Sequence, residues 1–336
     1  MDSAQRIERL AGWLSRELRG RAFTLEPASG DASFRRYFRV CFGEPGESRI
    51  AMDAPPEHED CRPFVHVARL LAAAGLNAPR VLAANLEEGF LLLTDLGRST
   101  YLDVLNPGNA DALFEQATDA LLRWQCASRP GELPPYDEAL LRRELALFPD
   151  WYVGRHLGVE LAPQQRAALE AVFGRLVAAA LAQPATWVHR DFMPRNLMVS
   201  EPNPGILDFQ DAVMGPVSYD LVSLFRDAFV SWEEERVLDW TVRYWERAKR
   251  LGVPVRDDFG EFYREFEWMG VQRHLKVLGI FARIRHRDGK PRYLEDAPRF
   301  VRYVREAAGR YAPLAPLVRL FDELEGREAR VVYGLR

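Results

Sequence analysis

The segment 187–211, WVHRDFMPRNLMVSEPNPGILDFQD, constrains this 336-residue chain more than any other. An apolar run enters His189, Arg190 and Asp191; four residues later comes Asn196; a second short apolar run ends in Asp208-Phe209-Gln210. A buried strand pair with polar turns would explain one Asp and one Asn. It does not explain six such residues in this order and spacing. The side-chain oxygens of Asn196 and Asp208 suit a magnesium ion carrying a polyphosphate. Asp191 is placed to accept the proton of an attacking hydroxyl. His189 is expected to pack and to hold the turn. Such a site needs little covalent chemistry, because positioning and charge neutralisation supply the rate.

The spacing matches the kinase loop H-R-D-x-x-x-x-N, and the second part matches D-F-G except for Gln210. The chain resembles the aminoglycoside phosphotransferase (choline kinase-like) family over nearly its whole length. Within it, the segments MDAPPEHEDCRPF near Met52 and QRHLKVLGIFAR near Gln272 resemble the bacterial anomeric kinases of N-acetylated amino sugars that serve peptidoglycan recycling. The resemblance implies an α+β, protein-kinase-like bilobal fold. A small N-terminal lobe with an antiparallel sheet (1–96) would bind nucleotide. A larger, mainly helical lobe (97–336) would carry catalysis and the acceptor. It also implies ATP and Mg²⁺ as cofactors and N-acetylmuramate or N-acetylglucosamine as acceptor. An aminoglycoside acceptor and a catalytically inactive nucleotide-binding module stand as alternatives.

In chain order, 5–18 carries apolar residues at helical spacing and predicts an amphipathic helix, with Ser3 as a cap. Residues 23–40 predict two strands around a turn at 30–33, which places Gly30 and the side chains of Ser33, Arg35 and Arg36 at the donor phosphates. Arg35 and Arg36 are adjacent on a strand and so point to opposite faces. The strand 49–53 should carry a donor-binding lysine, but it reads RIAMD, and no lysine precedes Lys249. Either Arg35, Arg36 or Arg49 replaces that cation or the donor phosphates depend more on magnesium, and Asp53 reads as a turn or cap residue. Residues 57–74 predict a helix whose Glu57 or Glu59 could pair with such a cation. GFLLLTDLG predicts a buried strand entering a hinge, where the main chain of Thr94, Asp95 and Leu96 would meet the adenine edge.

Beyond the hinge the pattern is helical. Trp151 and Tyr152 are candidates for the acceptor side. Only nine residues separate Gln210 from Asp220, and no A-P-E follows, so the platform on which a polypeptide would lie is missing and a small acceptor is preferred. Asp220 is expected to support the catalytic loop. Trp268, Gln272, Arg273 and His274 combine a flat apolar face with donors, as a polar sugar requires, and Arg273 could meet a lactyl carboxylate. The formal charge of −4 argues against a nucleic-acid partner. Three cysteines without metal spacing, no signal h-region and no membrane-length apolar run predict a cytoplasmic protein, expected to be a monomer.

Overall fold

The computed structural model describes residues 3–29, 34–43 and 46–326, with main chain only at 3 and 29. The chain divides into two compact units. Unit 1 comprises Met1–Val104 and Arg195–Asp211; unit 2 comprises Leu105–Pro194 and Ala212–Arg336.

Unit 1 is built on a five-stranded antiparallel sheet of β1 (Thr24–Ser29), β2 (Arg36–Cys41), β3 (Ser48–Asp53), β4 (Val81–Asn85) and β5 (Phe90–Thr94), in the order β1-β2-β3-β5-β4. Alternation along the strands separates two faces. On one, Val40, Ala51, Phe90 and Leu92 close a core with Leu10, Trp13 and Leu14 of helix α1 (Ser3–Glu17). The other presents Tyr37, Arg39, Ile50 and Leu93 to a cavity. Asp53, expected at a turn, is fully buried on the α1 face. Its carboxylate accepts from Arg6 Nε at 2.9 Å and from Arg36 Nε at 3.0 Å.

Helix α2 runs Arg62–Ala73, several residues later than the apolar pattern suggested. The Asp60 carboxylate takes the Arg62 N–H at 2.9 Å, and Pro63 sits in the first turn, so 57–61 stays out of the helix. The hairpin of β7 (Leu197–Met198) and β8 (Gly205–Ile206) belongs to unit 1, joined to it by bridges Thr100–Met198 and Asn77–Gly205. A Cβ on Gly205 would lie 2.9 Å from Leu96 Cδ1 and 2.8 Å from Ser200 Oγ, which explains glycine at this close approach.

Unit 2 is mainly helical: α3 (Tyr101–Val104) ends unit 1, and α4 (Ala110–Cys126), α5 (Glu138–Leu147), α6 (Pro163–Leu181), α7 (Tyr219–Phe225), α8 (Glu234–Leu251), α9 (Phe259–Asp288), α10 (Ala297–Gly309) and α11 (Ala315–Leu324) follow. A short antiparallel pair, β6 (Ala185–Val188) with β9 (Val213–Pro216), leads into the HRD segment. The 30-residue α9 is the central element, and most of its residues from Glu265 to Ala282 are buried. After α5 the chain widens into a π-helix, Phe148–His156, which the sequence pattern did not reveal. Tyr152 stacks on Phe148 in the core there, so its ring serves packing. At this junction Gly279 of α9 passes so close that a Cβ would lie 2.4 Å from the Leu147 carbonyl carbon.

Candidate active site

In unit 1, a cavity of about 270 Å³ brings together Arg35, the hinge residues Thr94, Asp95 and Leu96, and the two metal-ligand candidates Asn196 and Asp208. The β7–β8 hairpin sets the last two side by side: Leu207 N–H donates to the Asn196 carbonyl at 2.9 Å, so Asn196 and Asp208 flank the hairpin's open end. Asp208 has φ +61°, a left-handed conformation that an Asp tolerates better than most residues. Gln210, in place of the usual glycine, donates Nε2–H to Asp208 Oδ1 at 2.9 Å and steadies that carboxylate. Phe209 is fully buried and packs on Phe64 of α2, with ring centroids 4.6 Å apart.

The hinge is braced by side chains. Asp95 accepts from Arg39 Nε at 2.6 Å, from Ser48 Oγ at 2.7 Å and from Gly97 N at 2.9 Å. These contacts hold the Asp95 carboxyl below its ordinary pKa although burial opposes them. Thr94 N–H is already given to the Arg80 carbonyl at 3.0 Å, which leaves the following main chain at Asp95 and Leu96 as the more accessible edge.

The three arginines considered for the missing lysine separate cleanly. Arg36 is committed to Asp53, and Arg49 donates to the Ser48 carbonyl at 2.8 Å and lies 3.7 Å from Glu47. Arg35 lines the cavity, donates to Glu59 Oε2 at 2.9 Å and has Nη1 4.0 Å from Asp208 Oδ1. Burial works against its charge, but Tyr37, Glu59 and Asp211 hold its pKa above the ordinary arginine value. Gly30 and Ser33 lie outside the described residues.

In unit 2, the loop after β6 is pinned from below by Asp220 of α7. This fully buried carboxylate accepts from His189 N at 2.7 Å and Arg190 N at 2.9 Å. Burial pushes its pKa up to about 7, while those two N–H groups and Arg273 pull it down. The two hydrogen bonds secure Arg190 at φ +76°, the residue that turns the chain into Asp191. Asp191 N–H donates to His189 Nδ1 at 3.2 Å, and the buried His189 ring packs edge-on against Phe192. Arg190 reaches Glu144 of α5, a residue the sequence reading missed. Glu144 also accepts from Lys276 at 2.9 Å, from Gln272 Nε2 at 3.2 Å and from the Tyr136 hydroxyl. Burial alone would raise its pKa, but Lys276 and Arg190 bring it down to about 2. Only the presence of an HRD arginine hinted that such a carboxylate must exist.

The four acceptor candidates on α9 fall in different surroundings. Gln272 is buried and turned to Glu144. His274 is buried against Tyr303, its Nε2 3.3 Å from the Arg226 carbonyl, and burial holds its pKa far below the ordinary range, so it is neutral. Trp268 is half-buried with Tyr311 edge-on to its ring. Arg273 is 2% exposed, its Nη2 lies 3.9 Å from Met193 Sδ in the loop after Asp191, and its Nε and Nη1 meet no hydrogen-bond partner among the described residues.

The donor set fits magnesium. Asn196 and Asp208 would provide two hard oxygen ligands from the cavity wall, and among the described residues no cluster of three or more His, Cys, Asp or Glu side chains could cage a metal. Two protein ligands with the remaining positions left to water and phosphate is how Mg²⁺ is usually held.

The sequence profile of the phosphotransferase enzyme family matches residues 24–257. An N-acetylmuramate/N-acetylglucosamine kinase of Pseudomonas aeruginosa is 61% identical over 306 residues, 91% of this chain and 90% of that protein. Its namesake in Neisseria meningitidis is 49% identical over 96% of this chain and 97% of the relative. Among solved structures, choline kinase LicA from Streptococcus pneumoniae superposes with a TM-score of 0.61 at 14% identity, covering 89% of this chain and 99% of that one. A choline/ethanolamine kinase family protein from Mesorhizobium loti gives 0.59 at 17% identity, covering 94% and 99%. These two likenesses establish a kinase-like fold.

Proposed function

The chain belongs to the phosphotransferase enzyme family, and from that premise we propose that it is an ATP- and Mg²⁺-dependent kinase that phosphorylates the anomeric hydroxyl of N-acetylmuramate and N-acetylglucosamine to the 1-phosphate in cell-wall recycling. The 61% identity to the Pseudomonas aeruginosa kinase over nine-tenths of both chains carries this reading. The unit 1 cavity, with a hinge at one wall and paired hard oxygens at another, supports it.

In this reading the main chain at Asp95 and Leu96 takes the adenine edge. Asn196 and Asp208 would hold the magnesium ion, whose charge would offset that of the donor phosphates. Gln210 keeps that carboxylate oriented. Asp191 accepts the proton of the attacking hydroxyl. An anomeric hydroxyl is more acidic than an ordinary alcohol, so a carboxylate base suffices. His189 and Asp220 fix the loop that presents Asp191. On the acceptor side, Arg273 carries the unsatisfied donors that a carboxylate or hydroxyl of the sugar would meet, and Trp268 offers a ring face. Gln272 and His274 are engaged elsewhere, by Glu144 and by the Arg226 carbonyl, and are not assigned to the acceptor. The enzyme works as a cytoplasmic monomer, in keeping with three free cysteines; among the described residues no helix is long and apolar enough to cross a membrane.

The test is nucleotide consumption with N-acetylmuramate, N-acetylglucosamine, kanamycin or no acceptor, with phosphorus NMR of the product. Turnover confined to the two amino sugars, with an anomeric phosphate doublet, supports the reading. Turnover with kanamycin alone, or with none of them, overturns it.

A further inference from the structure

The strand that carries the donor-binding lysine of protein kinases has none here, and the structure explains how a cation can still reach the cavity. On β3, Ile50 lines the cavity and Met52 follows on the same face, fully buried. The neighbouring positions, Ala51 and Asp53, face α1. No β3 side chain can therefore bring positive charge to the phosphates. Strand β2 pairs antiparallel to β3, and its alternation divides adjacent arginines: Arg36 turns to the α1 face and is consumed by Asp53, whereas Arg35, in the row of Tyr37 and Arg39, turns to the cavity. Arg39 is itself tied to Asp95 and to the Gly97 carbonyl at 2.7 Å.

We propose that Arg35, oriented by Glu59, is the cation that binds the donor phosphates in this chain, so that an arginine–glutamate pair at the leading end of β2 replaces the strand lysine and its helix glutamate. The inference rests on the nucleotide-dependent kinase reading above. Three observations converge on it. The guanidinium is only 12% exposed at its side chain, and one nitrogen lies 2.9 Å from Glu59. Its other terminal nitrogen lies 4.0 Å from Asp208 Oδ1, the candidate metal ligand, so the same cation faces both its carboxylate anchor and the phosphate position. Glu59 lies in the loop before α2, next to Asp60, whose carboxylate takes the Arg62 N–H, and from there its own carboxylate reaches Arg35 at the end of β2. An arginine offers several N–H donors in a plane, which suits phosphate oxygens bidentately and keeps its charge at any working pH.

The experiment measures ATP binding by calorimetry, with Mg²⁺ and in EDTA, together with steady-state kinetics, for the full-length protein and its Arg35→Met, Arg35→Lys, Glu59→Gln and Arg195→Met variants. Arg195 is included because it too lines the cavity. Arg35→Met is expected to weaken ATP binding about 10- to 100-fold in both conditions, in line with the loss of a charge-assisted contact. The KM for the amino sugar should stay within about twofold. Arg35→Lys should recover part of the loss. Glu59→Gln should raise the KM for ATP by roughly 3- to 10-fold while the KM for the amino sugar stays within about twofold. Wild-type ATP affinity in Arg35→Met, or a loss carried by Arg195→Met instead, overturns the proposal. A wild-type protein that binds ATP but phosphorylates no amino sugar overturns the functional reading and leaves the binding comparison standing.

Discussion

Replacing Glu144 by glutamine removes the carboxylate that Arg190 and Lys276 share while keeping its shape. Glu144 is 5% exposed, and the side chains of Lys276 and Arg190 are 9% and 16% exposed. Stripping a buried pair of one partner costs about 3–5 kcal/mol, because the other charge is left without compensation. Two cations lose their partner here, but Arg190 keeps some solvent and Asp191 nearby, so the same range is expected rather than twice it. For a unit of this size each kcal/mol shifts the melting temperature by about 2–4 °C, giving a fall of about 6–20 °C. Adding Lys276→Met to Glu144→Gln should restore part of this, since it removes one stranded charge as well. The pH dependence has a definite sign. The Glu144 pKa is about 2 in the fold against an ordinary 4.5. A depressed carboxylate contributes stability that is complete above the unfolded value and drains away as pH falls toward the folded one. The wild type should therefore lose stability between about pH 4.5 and 2 more steeply than Glu144→Gln. Thermal and urea unfolding across that range is the assay. A Glu144→Gln protein that melts within about 1 °C of wild type, with no recovery on adding Lys276→Met, would refute the role assigned to this cluster.

Two further predictions concern packing and charge. Gly279→Ala forces a Cβ into the Leu147 carbonyl group at the start of the π-helix, which is backbone and cannot turn aside; a loss of about 1–3 kcal/mol is expected from urea unfolding, and an unchanged midpoint would contradict it. Asp53→Asn leaves Arg6 and Arg36 facing a neutral group in a fully buried position, so faster hydrogen exchange in α1 and β3 is expected, and unchanged protection would show that α1 docks by its apolar stripe alone.

The parts of the molecule legible from sequence are those set by local spacing. The order and separation of Asp191, Asn196 and Asp208 fix two turns without reference to the rest of the chain, and the apolar spacing of α1 and of the β-strands found nearly the observed boundaries. Alternation alone separated Arg35 from Arg36, but choosing between them required knowing that Arg36 is taken by Asp53 and that Arg35 lines the cavity. Glu144, Lys276 and Tyr136 were invisible as a group because their contacts to one another and to Arg190 depend on how distant helices pack. The π-helix at Phe148–His156 is a shift in hydrogen-bond register, which no periodicity records, and it begins beside the close approach of Gly279 to Leu147. The attachment of Arg195–Asp211 to unit 1 rests on contacts distant in sequence, among them the bridges to Asn77 and Thr100 and the packing of Phe209 on Phe64.

Asp191 is the group proposed to take the acceptor's proton. Asp191→Asn, assayed with N-acetylmuramate and saturating Mg·ATP, should lose about 10²- to 10⁴-fold in kcat while ATP binding by calorimetry remains at the wild-type value. A variant that turns over at the wild-type rate would contradict it.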